Sequence, residues 1–234
     1  MELTPYTLLC SALKARILGD PAPSPVEPAT FADGLAAMKI IDAQVHIWTK
    51  TVTAPSGLHR KVAAFTAEDC LKEMDEAGVD AALIHPPAGW DPDANAYAVE
   101  SAARYPDRYA VMGQFPLRDP QNRKLIHGWR DQPGMMGLRW AFLSPEQQVW
   151  LHDGSLDWLW LAAEQEGLPI AMMGGLFLPK FREIAERHPG LKLILDHCGL
   201  NRHGQDAEAF IHLDELVALA KLPNVAVKAT GAPH

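Results

Sequence analysis

His46 and His197 each follow directly on a short apolar run, IIDAQV and LKLILD, and Arg139 closes a third, GMMGLR. An imidazole at the end of a strand can orient or deprotonate a water. A guanidinium offers two parallel N–H donors that match a carboxylate. If the three converge, they are the groups that water attack on a small carboxylated molecule requires. Gln44 lies two residues before His46 and so falls on the same side of an extended strand. Trp48, Trp140 and Lys228 stand at strand ends and Arg202 follows His197 on its loop, which makes these four candidates for substrate contact. Each has a plainer reading. A strand-end histidine serves equally as a structural hydrogen-bonder, Arg139 can pair with a neighbouring acid, and the tryptophans can close a core.

The remaining candidates read as structural. His85 precedes Pro86 and Pro87 and is taken as a hydrogen-bonder. His59, His127, His152, His188, His203 and His212 are expected on the surface, with His188 a cation at a helix C-terminus. Cys198 beside His197 has the makings of an activated thiolate, but its place before Gly199 at a strand–loop junction favours a small buried space-filler. Cys10, Cys70 and Cys198 are odd in number and show no CxxC spacing, which argues against a disulfide framework and for a reducing cytoplasm.

Positioning these residues requires strands that end on one side of a sheet. Runs with strand character fall at Lys39–Asp42, Ala81–His85, Tyr109–Gln114, Met136–Trp140, Pro169–Met173, Lys192–Asp196 and Ala226–Lys228. Amphipathic stretches lie between them, the alternation that gives parallel strands with crossover helices. Thr66 with Asp69 forms a capping box and Gly78 ends that helix. Ser155 is expected to cap Leu156–Glu166, whose stripe is Trp158, Leu159 and Ala162, and Pro179 sits in the first turn before Phe181–His188. The fold class is therefore α/β, of the (β/α)8 TIM-barrel type. A full barrel takes ~250 residues, so a chain ending just after its seventh strand reads as C-terminally truncated.

One domain follows, preceded by an extension. Residues 1–37, with Pro21, Pro23, Pro25 and Pro28, read as a poorly ordered N-terminal extension without the order of a signal peptide. Residues 38–234 read as one incomplete barrel domain. With 48% hydrophobic and 21% charged residues the chain can bury one sizeable core. Its net charge of −8, from 21 basic and 29 acidic residues, leaves no basic run for nucleic acid. No apolar run approaches the ~20 residues of a membrane span. A sheet edge left unpaired beside strand seven would favour self-association as a homo-oligomer.

The stretches IIDAQVHIW, GMMGLRW, EGLPIAMM, LKLILDHCG and NVAVKATG resemble, in that order, the strand motifs of the amidohydrolase-related family, also called amidohydrolase 2. The resemblance covers about Met38 to Gly231. It is nearest to the branch of dicarboxylate lactonases and metal-dependent hydrolases, with aromatic-acid decarboxylases as relatives. It implies a metal set of an HxH pair ending strand one, a histidine ending strand five, a histidine ending strand six and an aspartate ending strand eight, the aspartate being the usual water-activating base.

This chain departs from that pattern. Gln44-Val45-His46 replaces one imidazole by an amide, Met172 and Met173 stand where the strand-five histidine would be, and strand eight is not in the sequence. Amides and thioethers are poor ligands for zinc or manganese. The expectation is no tightly bound cofactor, with His46 and His197 the ligands if a divalent metal is held. The function expected is lactonase-like hydrolysis of a small carboxylated substrate, with His46, His197 and Arg139 catalytic and Gln44, Trp48, Trp140, Arg202 and Lys228 contacting substrate. The alternatives are a metal-dependent aromatic-acid decarboxylase and an inactive fragment.

Overall fold

The computed structural model describes residues 39–51, 62–89, 91–173, 177–200, 204 and 206–229. Arg202, His59, His203 and the segment 1–37 lie outside the described residues. All elements below belong to the compact unit Ile40–His234.

The seven strands are β1 (Ile41–Val45), β2 (Ala81–Ile84), β3 (Tyr109–Gly113), β4 (Met135–Trp140), β5 (Ile170–Met173), β6 (Leu193–Asp196) and β7 (Val225–Val227). They pair in chain order, each parallel to the next. This is the α/β architecture expected of the (β/α)8-barrel type. Parallel sheets covered by helices read as continuous apolar runs, and β5 (IAMM) and β6 (LILD) do so, with Ile170, Ala171, Met172, Leu193 and Leu195 fully buried. The first strand begins two residues later than expected, so that Gln44 lies within it and His46 just past its end.

The helices are α1 (Ala67–Ala77), α2 (Ala94–Arg104), α3 (Pro145–His152), α4 (Asp157–Gln165), α5 (Leu178–Arg187) and α6 (Leu213–Leu219). The capping box at α1 forms: Thr66 Oγ1 accepts from the Asp69 amide at 3.1 Å, the Asp69 carboxylate accepts from the Thr66 amide at 2.9 Å, and Gly78 takes the left-handed conformation at φ 69°. A second box, Ser144 with Gln147, starts α3.

Two details of α4 differ from expectation. Ser155 does not cap it: its amide donates to Asp153 Oδ1 at 2.8 Å, and the residue at the cap position, Leu156, has no side-chain acceptor to offer. The buried stripe is Leu156, Leu159, Trp160 and Ala163, one residue out of phase with the expected one, because the helix starts at Asp157 and turns Trp158 to the half-buried flank. Among the described residues no helix is long and apolar enough to cross a membrane.

Candidate active site at the strand C-termini

The C-terminal ends of β1, β2, β4, β6 and β7 deliver five polar side chains to one place. Asp196, the last residue of β6, is fully buried and accepts from Arg139 Nε at 3.1 Å through Oδ2. Its Oδ1 lies 3.1 Å from Lys228 Nζ, just beyond β7. Lys228 is held there by backbone pairing on both sides, its amide donating to Leu195 O at 2.9 Å and its carbonyl accepting from the Cys198 amide at 2.9 Å. Its Nζ also lies 2.9 Å from His85 Nε2 and 3.5 Å from Gln44 Oε1. A side chain following the last strand thus touches one in the first, which requires the sheet to curl until the C-terminal ends of β1 and β7 converge.

Gln44 passes the contact on. With its oxygen toward Lys228, its amide nitrogen donates to His197 Nε2 at 3.2 Å. The β1–β2 register shifts between Asp42 and Val45, an irregularity of the kind that re-aims side chains at a strand end. His46, one residue beyond, donates from Nδ1 to the carbonyl of His85 at 2.6 Å, since a carbonyl can only accept. In the neutral ring this puts the lone pair on Nε2. His197 and Cys198 both take positive φ, 55° and 51°, in a single turn after β6, a conformation that costs a residue with a Cβ about 1–3 kcal/mol.

The electrostatics are lopsided. Arg139 and Lys228 bring two positive charges against one carboxylate, all three at most 9% exposed. Burial pulls the Lys228 ammonium below its ordinary value, and Arg139 adds to this while Asp196 and Asp42 oppose it. His85 is held well below the usual imidazole range, first by burial and then by Lys228, Arg139 and His46. It is therefore neutral and accepts from Lys228. The surplus positive charge favours an anionic guest.

Of the residues singled out in the sequence, the fold gathers Gln44, His46, Arg139, His197 and Lys228. Arg139 makes the ion pair that was its plainer reading. Trp140 points the other way: alternation along β4 puts it opposite Arg139, where its Nε1 donates to Phe115 O at 3.1 Å and its ring meets Phe115 edge-on. Trp48 is buried, donates from Nε1 to Val62 O at 3.3 Å and packs against Phe65. Both tryptophans close the core. Cys198 keeps its structural reading, since burial raises its thiol and its Sγ donates to Lys228 O at 3.6 Å.

His85 and Asp196 were missed as members of the site. His85 gives a signal in standing at a strand end, where the sequence reads it as a structural hydrogen-bonder, and it is one, with Lys228 Nζ as its partner. Asp196 gives a signal in ending an apolar run, where a carboxylate needs a buried partner. His188 stands at the C-terminal cap of α5 as expected, but it is largely buried there and not on the surface, with Nδ1 3.0 Å from Glu164 Oε2 of α4. Asp91 accepts from the Thr49 and Asp93 amides at 3.1 Å and 3.0 Å and so ties the loop after β1 to the loop after β2.

The donor set does not suit a zinc or manganese ion. Among the described residues no three His, Cys, Asp or Glu are arranged to hold one. The carboxylate of Asp196 is engaged by two cations, Gln44 presents an amide, and Met173, which pairs with Asp196 across β5–β6 and so shares its face, carries a thioether, whereas Met172 lies on the opposite face with Trp140.

A family model described as amidohydrolase matches residues 41–234. A search of the curated proteins finds no match. Among solved structures, an amidohydrolase from Burkholderia multivorans with HEPES bound is 21% identical, with a TM-score of 0.69 over 83% of this chain and 70% of that one. A second crystal form of it, 20% identical with the same TM-score of 0.69 over 82% and 69%, has zinc bound. An Acinetobacter baumannii protein described as a probable 2-pyrone-4,6-dicarboxylic acid hydrolase, with citric acid bound, is 15% identical at TM-score 0.56 over 83% and 71%. A 5-carboxyvanillate decarboxylase from Novosphingobium aromaticivorans, complexed with manganese and a nitrobenzoic acid, is 17% identical at TM-score 0.54 over 80% and 71%. These likenesses speak for the shared fold.

Proposed function

The chain belongs to the amidohydrolase family, and from that premise we propose that it hydrolyses a small carboxylated substrate of the cyclic-ester class without a tightly bound metal. The observation that carries this reading is the buried pairing of Arg139 and Lys228 with the single carboxylate of Asp196, which leaves one positive charge uncompensated at the strand ends. A substrate carboxylate restores neutrality there. Its scissile carbonyl is then polarised by fixed cationic donors in a site of low dielectric, where such donors are most effective.

His46 acts as the general base. Its Nδ1 is committed to the His85 carbonyl, so Nε2 is the basic nitrogen that takes a proton from the attacking water. His197 is held by Gln44, and Gln44 by Lys228, so His197 orients water or substrate rather than removing the proton. The relatives that hold zinc or manganese do so in their own sites; here the donors present do not suit that ion, and no step is routed through one.

The test is a panel of mono- and dicarboxylated lactones together with hydroxylated aromatic acids, assayed with and without a chelator. Ring opening that survives the chelator and weakens when the carboxylate is esterified supports the reading. Release of carbon dioxide from an aromatic acid in the same panel would instead make the chain a decarboxylase.

A further inference from the structure

We propose that the ammonium of Lys228 is the resident cation of this site, a substitute on the chain itself for the divalent metal that solved relatives carry. A lysine ammonium has three N–H donors and no acceptor. Three acceptors from three strands meet it: His85 Nε2 from the end of β2 at 2.9 Å, Asp196 Oδ1 from β6 at 3.1 Å and Gln44 Oε1 from β1 at 3.5 Å. His85 and Gln44 meet the ammonium through hydrogen bonds and Asp196 Oδ1 through an ion pair, so the donors that a metal would draw on already face a cation. Gln44 extends the effect, since orienting its oxygen to Lys228 turns its amide hydrogen onto His197 Nε2.

One ammonium therefore engages, directly or through Gln44, a carboxylate, an amide and two imidazoles. A free ion would have to displace a cation that is tethered to the same fold, 8% exposed and pinned at its backbone to β6 on both sides. The lysine carries one of the two positive charges such an ion would supply, and it does so on a tether. Insofar as it faces the scissile carbonyl, its role rests on the hydrolase reading above, but its occupancy of the site does not.

The experiment separates the two. The full chain and Lys228→Ala are dialysed against zinc and assayed for bound metal, and each is titrated with zinc chloride and with n-propylammonium chloride while its melting temperature is followed. Lys228→Ala leaves Asp196 paired with Arg139, so the buried carboxylate keeps a partner. The expected result is that the unaltered chain retains no stoichiometric zinc and melts unchanged in either salt. Lys228→Ala is expected to be stabilised by both salts, to bind zinc at least about tenfold more tightly than the unaltered chain, a difference of about 1.4 kcal/mol, and to have the two additives compete.

Stoichiometric zinc in the unaltered chain, or a folded Lys228→Ala indifferent to both additives, overturns the proposal. Should Lys228→Ala not fold, Lys228→Ser, whose short polar side chain leaves room for water against His85 and Asp196, takes the same titrations, and the zinc content of the unaltered chain stands in any case. None of these readouts uses hydrolysis, so failure of the lactone assay leaves the result intact and the reverse is equally true.

Discussion

Lys228 Nζ lies 2.9 Å from Nε2 of His85, a contact between a lysine and a histidine that share no exposed surface beyond 8% of the lysine. Two cations would repel at that distance in a medium that screens poorly. The contact is a hydrogen bond only because His85 is neutral and accepts, and the whole arrangement of β1, β2, β6 and β7 at this end of the sheet depends on that protonation state.

Stability should therefore depend on pH through His85. Its imidazole is held well below the usual range in the folded chain, whereas in the unfolded chain it titrates near ~6.5. Between those two values the unfolded state binds the extra proton. Stability from this group is thus complete above about pH 6.5 and is lost as pH falls below it, at up to about 1.4 kcal/mol per pH unit. Urea unfolding of the wild type and His85→Gln from neutral pH downward measures it: the wild-type curve should fall more steeply, and parallel curves would refute the assignment.

Asp196 is the only acid among three buried charges in contact, so its neutralisation should cost more than loss of either cation. Asp196→Asn leaves Arg139 and Lys228 buried without a counter-charge, a change that costs about 3–5 kcal/mol. Arg139→Leu leaves Lys228 and Asp196 as a matched pair and should cost less. Equilibrium denaturation gives the order, and a smaller loss for Asp196→Asn than for Arg139→Leu would refute it.

How far the sequence reveals this site depends on what each residue needs nearby. The parallel strands are legible because β5 and β6 are apolar throughout, and α1 is legible because Thr66, Asp69 and Gly78 signal locally. Gln44, His46, Arg139, His197 and Lys228 can be picked out because each ends a strand. Their contacts cannot, since those join residues up to 184 positions apart. His85 and Asp196 are not singled out for the site for the same reason: a buried imidazole and a buried carboxylate take their meaning from partners on other strands. The phase of α4 is not legible because Trp158 and Trp160 are both large and apolar, so the pattern fits two faces about 100° or more apart and the packing neighbours choose between them, and Ser155 offers no warning that Asp153 will claim its amide.

Gly137 should tolerate no side chain, and the reason bears on Arg139 two residues on. A Cβ there would lie 2.5 Å from the Pro169 carbonyl oxygen and 2.7 Å from its ring, at the point where Leu138 donates to that same carbonyl across the β4–β5 pairing. A backbone atom cannot swing aside as a side-chain tip can. Gly137→Ala should destabilise by about 1–3 kcal/mol and, by pushing β4 from β5, loosen the Arg139–Asp196 pair. Thermal melting of Gly137→Ala beside the exposed neighbour Met136→Ala isolates the effect, and equal melting temperatures would count against it.

The two histidines should not be equivalent in catalysis, although they occupy matching positions at strand ends. His46 gives its Nδ1 proton to the His85 carbonyl at 2.6 Å, which leaves Nε2 as the basic nitrogen of the neutral ring, while His197 already accepts at Nε2 from Gln44 at 3.2 Å. A general base contributes roughly 10²–10⁴ in rate. On the lactone that the panel identifies, His46→Gln should lower kcat by about that factor with little change in KM, and the acid limb of the pH profile of kcat/KM should vanish. His197→Gln should lower kcat by less and keep the limb, because it removes an orienting group and leaves the base. If the limb persists in His46→Gln and vanishes in His197→Gln, the proton goes to His197, and the Gln44 amide must then be turned so that its oxygen faces that ring.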